Sequence, residues 1–201
     1  MTFNLNDFYQ IESDASFKKV YRSKNLNEGK ILVDFSYDHN DYLSYLEINK
    51  YLSAINISVP KVFHVNDSKS IIIMEDFGKI KYEKLISDID PKEILMDAIN
   101  SLIVIQNSEK PIANNSLKQY DYYDFKREIT EFVDFYLPLK NFGEDVADEF
   151  LHIWKLEFEK LNFKWNSFVH KDFELSNLIH LPKRNGHCKC GILDFQNAFL
   201  G

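Results

Sequence analysis

The sequence predicts an α+β protein in which an N-terminal antiparallel sheet carrying one helix gives way to a mostly helical region. Up to Gly78 the apolar residues fall in short runs bounded by polar turns, and one stretch alone repeats at helical spacing. Beyond Gly78, three long stretches repeat every three or four residues. Strand-like runs then return around a Pro- and Gly-bounded turn at 182–186, which predicts a hairpin near the end of the chain.

Taken in order, strands are expected at 8–12, 17–23 and 30–35, with a turn holding Ser13 and Ser16 between the first two and a polar turn at 25–29 before the third. Tyr42, Tyr45, Ile48, Leu52 and Ile55 make a helical stripe over 41–55, for which Asn40 or Asp41 is the expected cap. Two more strands, 61–66 and 70–75, flank the turn Asn66-Asp67-Ser68. Helices follow over 91–106, with Leu95, Ala98, Leu102 and Ile105 inward, and over 121–137, with Phe125, Ile129, Phe132 and Tyr136 inward. A third spans about 144–161, where Val146, Phe150, Ile153, Trp154 and Phe158 form the stripe and Trp154 is read as core packing. The expected division is a lobe over 1–78 and a second over 79–201.

Composition narrows the class of partner. The chain has 201 residues, 45% of them hydrophobic, enough for a sizeable core. A formal charge of -7 argues against a nucleic-acid partner, whose phosphates are held by clustered Lys and Arg. Cys188 and Cys190 are too close in sequence to staple a useful loop, which excludes a disulfide-built secreted domain and fits a reducing cytoplasm. The N-terminus has neither the basic nor the apolar region of a signal peptide. The longest apolar runs, 71–74 and 101–105, fall far short of the roughly 20 residues a membrane helix needs, so a soluble, cytoplasmic protein is expected.

The chemistry concentrates in His170-Lys171-Asp172-Phe173-Glu174-Leu175-Ser176-Asn177 and Gly191-Ile192-Leu193-Asp194-Phe195-Gln196. An Asp and an Asn five residues apart around a loop can aim at one point, and Asp194 brings a second charge from the adjacent hairpin strand. Mg²⁺ takes hard oxygen ligands and commonly only one or two carboxylates besides substrate phosphates. Asn177 and Asp194 match that donor set, leaving Asp172 for an acceptor hydroxyl. The plainer reading, Asp172 and Asp194 as ordinary turn residues, is opposed by their joint spacing. A zinc site from His180, His187, Cys188 and Cys190 is disfavoured, because Cys-x-Cys places both sulfurs on one face of one strand without a second knuckle. No G-x-S-x-G elbow is present for a serine hydrolase, and neither cysteine has a catalytic setting.

The two segments together resemble the catalytic loop and metal-binding Asp of the aminoglycoside phosphotransferase and kinase-like superfamily. More narrowly, Asp194-Phe195-Gln196-Asn197-Ala198 resembles the bacterial anomeric sugar kinases, which phosphorylate N-acetylmuramate and N-acetylglucosamine at C1. The stretches 13–22, Met74-Glu75-Asp76-Phe77-Gly78, and Tyr123-Asp124 through Glu128 to Phe135-Tyr136 support that reading. The resemblance implies a protein-kinase-like two-lobe fold using ATP and Mg²⁺, with 1–78 as the nucleotide-binding lobe and 79–201 as the catalytic lobe. It implies Asp172 as the residue that accepts or orients the acceptor proton, His170 as a brace for the loop, Asn177 and Asp194 as metal ligands, and the backbone of Glu75, Asp76 and Phe77 as the face toward adenine.

The chain departs from protein kinases in having no Gly-rich loop before its second strand and no Lys at the centre of its third. Phosphate contacts are therefore assigned to the turn of Ser13 and Ser16, with Lys18, Lys19 or Arg22 supplying positive charge and Glu47 as a weaker candidate partner. The expected acceptor is a small molecule, first an amino sugar, with Asp124, Glu128 or the Tyr122-Tyr123 pair lining its site. The alternatives are an aminoglycoside, choline or a related alcohol, or a non-catalytic nucleotide-binding role. Family members continue into further helices beyond the position of Gly201, so the helical lobe is expected to be incomplete, and the oligomeric state is left open.

Overall fold

The computed structural model describes residues 4–11, 18–108, 117–161 and 167–201. The chain forms two compact units, Met1–Leu117 with His170–Ala198, and Lys118–Val169 with Phe199–Gly201. The change of pattern at Gly78 lies inside the first unit. Among the described residues, no helix is long and apolar enough to cross a membrane.

The first unit holds the five-stranded antiparallel sheet. Its strands are β1 (Phe8–Ile11), β2 (Lys19–Ser23), β3 (Lys30–Asp34), β4 (Val62–Asn66) and β5 (Ile71–Glu75), ordered β1-β2-β3-β5-β4. The most apolar strands take the middle: Leu32 faces Ile73 and Val33 faces Ile72 across β3 and β5, and all four are buried. Burying the β-branched strands centrally removes most apolar surface from water, while β1, none of whose residues is buried, is left at an edge.

Between β3 and β4 runs α1 (His39–Ala54). Its buried Tyr42, Tyr45, Ile48 and Leu52 keep the expected stripe. The cap is Asp38 rather than Asn40 or Asp41: its carboxylate accepts from both Asn40 N and Asp41 N, so the helix starts two residues before the expected 41. A short helix, α2 (Tyr82–Leu85), and a long one, α3 (Pro91–Asn107), follow, with Asp90 capping α3 and Pro91 in its first turn. Ile94, Ala98, Ser101 and Ile105 are the buried residues of α3. The expected Leu95 and Leu102 are only half-buried. Ser101 displaces them because its hydroxyl donates to the His187 carbonyl at 3.0 Å, fastening α3 to the hairpin turn.

That hairpin joins β7 (Leu178–His180) to β8 (Cys190–Ile192), with Leu178 opposite Ile192. A single 3₁₀ turn, Gly186–Lys189, precedes β8 and contains Cys188, so the two cysteines do not share one strand as expected. Ser58, from the loop after α1, donates to the Cys188 carbonyl at 2.7 Å and accepts Ile192 N at 2.8 Å on its own carbonyl. The hairpin is thus bonded to the loop that follows α1.

In the second unit, α4 (Tyr122–Glu131) begins in a capping box of Asp121 and Asp124. It passes through a π-helical turn at Phe132–Tyr136 into α5 (Leu137–Leu139), and α6 (Glu144–Lys160) follows. The π turn inserts one residue into the 3.6 repeat and rotates the helix face. Leu137 is buried in consequence, and the expected inward residues Phe132 and Tyr136 are 38% and 45% exposed. Rings join α4 to α6: Phe125 stacks on Phe158 at 5.0 Å and meets the Trp154 edge at 5.6 Å. Strands β6 (Phe168–Val169) and β9 (Phe199–Leu200) pair antiparallel in the same unit.

Candidate active site

The loop from His170 to Asn177 and the turn after β8 are built around two residues in the left-handed region, Lys171 at φ 76° and Asp194 at φ 61°. Such backbone costs on the order of 1–2 kcal/mol for a residue bearing a Cβ, and other bonds hold it in place. The His170 ring donates Nε2–H to the Leu193 carbonyl at 3.1 Å, and Leu193 N donates to the Asn177 carbonyl at 3.0 Å. Asn177 Nδ2 donates to the Asp172 carbonyl at 3.0 Å, which leaves the amide oxygen as the atom able to meet a cation. Gln196 Nε2 donates to Asp194 Oδ1 at 3.0 Å.

His170 is 4% exposed. Burial pushes its pKa down to about 4, against the Leu193 carbonyl and the Asp172 charge, so the ring is neutral near pH 7 and acts as a fixed donor. Among the described residues its buried Nδ1 has no hydrogen-bond partner.

Asn177 and Asp194 line a cavity of about 210 Å³. Its apolar wall is the sheet face of Val20, Ile31, Val33 and Met74, and its rim includes residues 75–78. That segment is clamped from two sides. Arg22 grips Asp76 in a fork, Nε to Oδ2 at 2.5 Å and Nη2 to Oδ1 at 3.0 Å, and reaches the Gly78 carbonyl at 3.3 Å. Arg184 pairs with Glu75 at 2.7 Å and lies over the Phe77 ring, 4.9 Å from its centroid. Beneath the ring sits Gly191, where a Cβ would come within 2.7 Å of Phe77 Cδ2 and 2.9 Å of Leu181 Cδ1.

The Lys18 ammonium enters the cavity and pairs with the Asp194 carboxylate. Burial pushes its pKa down to about 8, while the Asp41 and Asp172 carboxylates pull the other way. The Lys18 ammonium thus sits against Asp194 in the field of two further carboxylates. Hard oxygen donors at Asn177 and Asp194, an apolar wall beside them and a partly buried cation in the same cavity together fit a metal–nucleotide complex. Among the described residues no group of three His, Cys, Asp or Glu is placed to hold a metal by itself, so a metal at Asn177 and Asp194 would share its shell with phosphate oxygens.

Of the residues singled out from sequence, the structure gathers Lys18, Glu75, Asp76, Phe77, Asn177 and Asp194 around this cavity and ties Asp172 and His170 to them. Ser13 and Ser16 lie outside the described residues. Lys19 is exposed and out of phase with Lys18, Val20 and Arg22, which share the other face of the strand. The side chains of Arg22 and Asp76 bind one another. Glu47 is exposed, and the α1 carboxylate whose field reaches Lys18 is Asp41. Asp124 is buried against Lys118 and caps the Asp121 N–H, and Glu128 accepts from the Tyr120 hydroxyl at 2.9 Å. Cys188 Sγ lies 3.5 Å from His187 Nε2, whereas Cys190 is fully buried, its thiol pushed up to about 12 by burial. Gln196 was visible only as part of a motif. Arg184 carried no sequence signal, since its partner lies 109 residues away.

The architecture matches solved aminoglycoside phosphotransferases over nearly the whole chain. Against the streptomycin–ATP–APH(2'')-IIa ternary complex the TM-score is 0.67 at 17% identity, covering 98% of this chain and 68% of that one. Against ADP-bound APH(2'')-Ib it is 0.66 at 17% identity, covering 98% and 67%. The chain has the kinase-like fold of these phosphotransferases. In sequence it is similar to the N-acetylmuramate/N-acetylglucosamine kinase of Caulobacter vibrioides (strain ATCC 19089 / CIP 103742 / CB 15), with 30% identity over 159 residues. That match takes in 75% of this chain and 44% of the relative, so the chain spans less than half the length of the enzyme it resembles. No family profile matches the chain.

Proposed function

We propose that this chain carries the active site of an ATP-dependent phosphotransferase acting on a small-molecule hydroxyl, namely the anomeric hydroxyl of an N-acetylated amino sugar. The observation that carries the reading is the meeting of Asn177 and Asp194 at one cavity with the apolar sheet face and residues 75–78, with Asp172 hydrogen-bonded to Asn177 through its carbonyl. The sugar preference rests on the sequence likeness to the sugar kinase. In functional terms, residues 1–78 serve as the nucleotide-binding lobe and 79–201 as the catalytic lobe.

On this reading the adenine lies against Val20, Ile31 and Met74, and the backbone of Glu75 to Phe77 offers its polar groups to the base edge. Arg22 and Arg184 keep that backbone in place without touching nucleotide. Asn177 and Asp194 would hold Mg²⁺, which would neutralise charge on the phosphate oxygens. Asp172 receives the proton of the acceptor hydroxyl as its oxygen bonds to the γ-phosphorus and the bond to the β,γ-bridging oxygen breaks, releasing ADP. His170 stays neutral and holds the Leu193 carbonyl, so the loop bearing Asp172 keeps its distance from Asp194.

The test is Mg²⁺-dependent ATP consumption by the purified chain with N-acetylated sugars, aminoglycosides and choline, run beside Asp172→Asn. Turnover with an N-acetylated sugar, reduced on the order of 10²–10⁴-fold in the variant with ATP affinity unchanged, is the expected result. Equal turnover by parent and variant would overturn the role of Asp172, and turnover with choline or an aminoglycoside alone would overturn the sugar preference.

A further inference from the structure

We propose that Lys18 is the phosphate-binding cation of this cavity, delivered from the residue before β2 in place of a lysine at the centre of β3, and that without nucleotide it occupies the metal-binding carboxylate. The inference rests on reading the cavity as a nucleotide site and names a residue which that reading leaves open. Three observations support it. Strand β3 offers the cavity only Ile31 and Val33, and its one lysine, Lys30, is paired with Glu28 at 3.1 Å. Of the basic residues near β2, Lys18 and Arg22 share the cavity face through strand alternation, and the Arg22 guanidinium is engaged bidentately by Asp76. The Lys18 ammonium, by contrast, pairs with a carboxylate that would bind metal, in the field of Asp41 and Asp172. The other lining lysine, Lys81, follows the 75–78 segment and lies 3.9 Å from Glu83.

The Lys18 ammonium is paired with Asp194 in the field of Asp41 and Asp172. Once a metal takes Asp194, the ammonium is repelled by like charge and needs a new anion. The phosphate groups arriving with the metal are that anion, and a flexible four-carbon stem lets Lys18 turn to them without moving the strand. Lys18 should therefore oppose bare metal and favour metal with phosphates.

These opposite signs make the test. With a non-hydrolysable ATP analogue plus Mg²⁺, adenosine, and Mn²⁺ alone as probes, calorimetry on parent, Lys18→Met, Lys18→Arg and Lys81→Met separates the possibilities. Lys18→Met is expected to weaken the analogue at least tenfold, leave adenosine within about twofold, and bind Mn²⁺ alone more tightly, with Lys18→Arg close to parent for the analogue. An undiminished analogue affinity in Lys18→Met would overturn the inference while the nucleotide site stands. So would parallel loss of all three probes, the mark of a merely structural lysine, or loss of the phosphate increment in Lys81→Met instead. A parent that binds neither adenosine nor the analogue would overturn the reading of the site itself. In the parent chain, where no variant has to fold, Mg²⁺–ADP should shield Lys18 from acetic anhydride and adenosine should not; equal labelling under both would also count against the proposal.

Discussion

The two compact units stabilise themselves in different ways. In the first, the site is framed by side-chain hydrogen bonds that bridge long stretches of chain: Arg22 to Asp76 across 54 residues, Arg184 to Glu75 across 109, and Ser58 to the Cys188 carbonyl across 130. In the second, the helices meet through aromatic rings, α6 has no buried residue, and Tyr123, Phe135 and Leu139 are more than 70% exposed. Polar pairs buried in low dielectric are costly to break singly, whereas half-exposed ring contacts lose little one at a time. Single substitutions should therefore be felt far more in the first unit.

The largest expected effect on stability is at Arg22. Arg22→Ala leaves Asp76 buried without its counter-ion, both side chains being at most 12% exposed, and should cost about 3–5 kcal/mol in urea unfolding. The double change Arg22→Met/Asp76→Leu should cost clearly less than the single one, because no charge is then stranded. A cost under about 1 kcal/mol for Arg22→Ala would remove the clamp from the contrast.

Next comes the pH dependence set by His170. Its folded pKa of about 4 lies below its ordinary value of 6.5, so the folded state binds fewer protons. The stability this provides is present above pH 6.5 and is lost as pH falls toward 4, by about 3 kcal/mol in total. In denaturation midpoints read across that window, His170→Gln should flatten this part of the profile. An unchanged slope in the variant would mean the ring is not held neutral by burial.

Gly191→Ala is smaller. The added methyl meets the Phe77 ring and Leu181, and overpacking of this kind costs about 1–3 kcal/mol, measured as a shift in unfolding midpoint. The same variant should weaken adenosine more than it alters Mn²⁺ binding, since Phe77 belongs to the 75–78 rim. The smallest effect is expected in the second unit at Lys118, 63% exposed beside Asp124. Lys118→Met should cost less than about 1 kcal/mol by the same unfolding assay, because Arg127 and the Asp121 N–H still serve that carboxylate. A cost like that of Arg22→Ala would erase the difference between the units.

The sheet was legible because its strands are short apolar runs bounded by turns that carry Gly, Asn and Asp, and the stripe of α1 was legible because four aromatic and aliphatic residues recur at helical spacing. The far end of α4 was not legible. A π turn is a one-residue change of phase that leaves no mark in composition, so Tyr136 was read as inward where Leu137 is. At the site, Asp172, Asn177 and Asp194 were readable together because the loop and the hairpin strand keep them near in sequence. Arg184 was not, since a turn Arg has the same local pattern whether it faces water or a Glu 109 residues away.

By itself the sequence determined the order of strands and helices, the loop that carries Asp172 and Asn177, and the hairpin that returns Asp194 to it. These follow from local periodicity and short-range spacing, which are properties of neighbouring residues. Tertiary structure alone decided which basic residue meets Asp194. Strand alternation puts Lys18 and Arg22 on one face and Lys19 on the other, but only the folded sheet brings Asp76 to Arg22 and leaves Lys18 to the cavity. Ion pairing across a fold depends on distances that chain order does not contain.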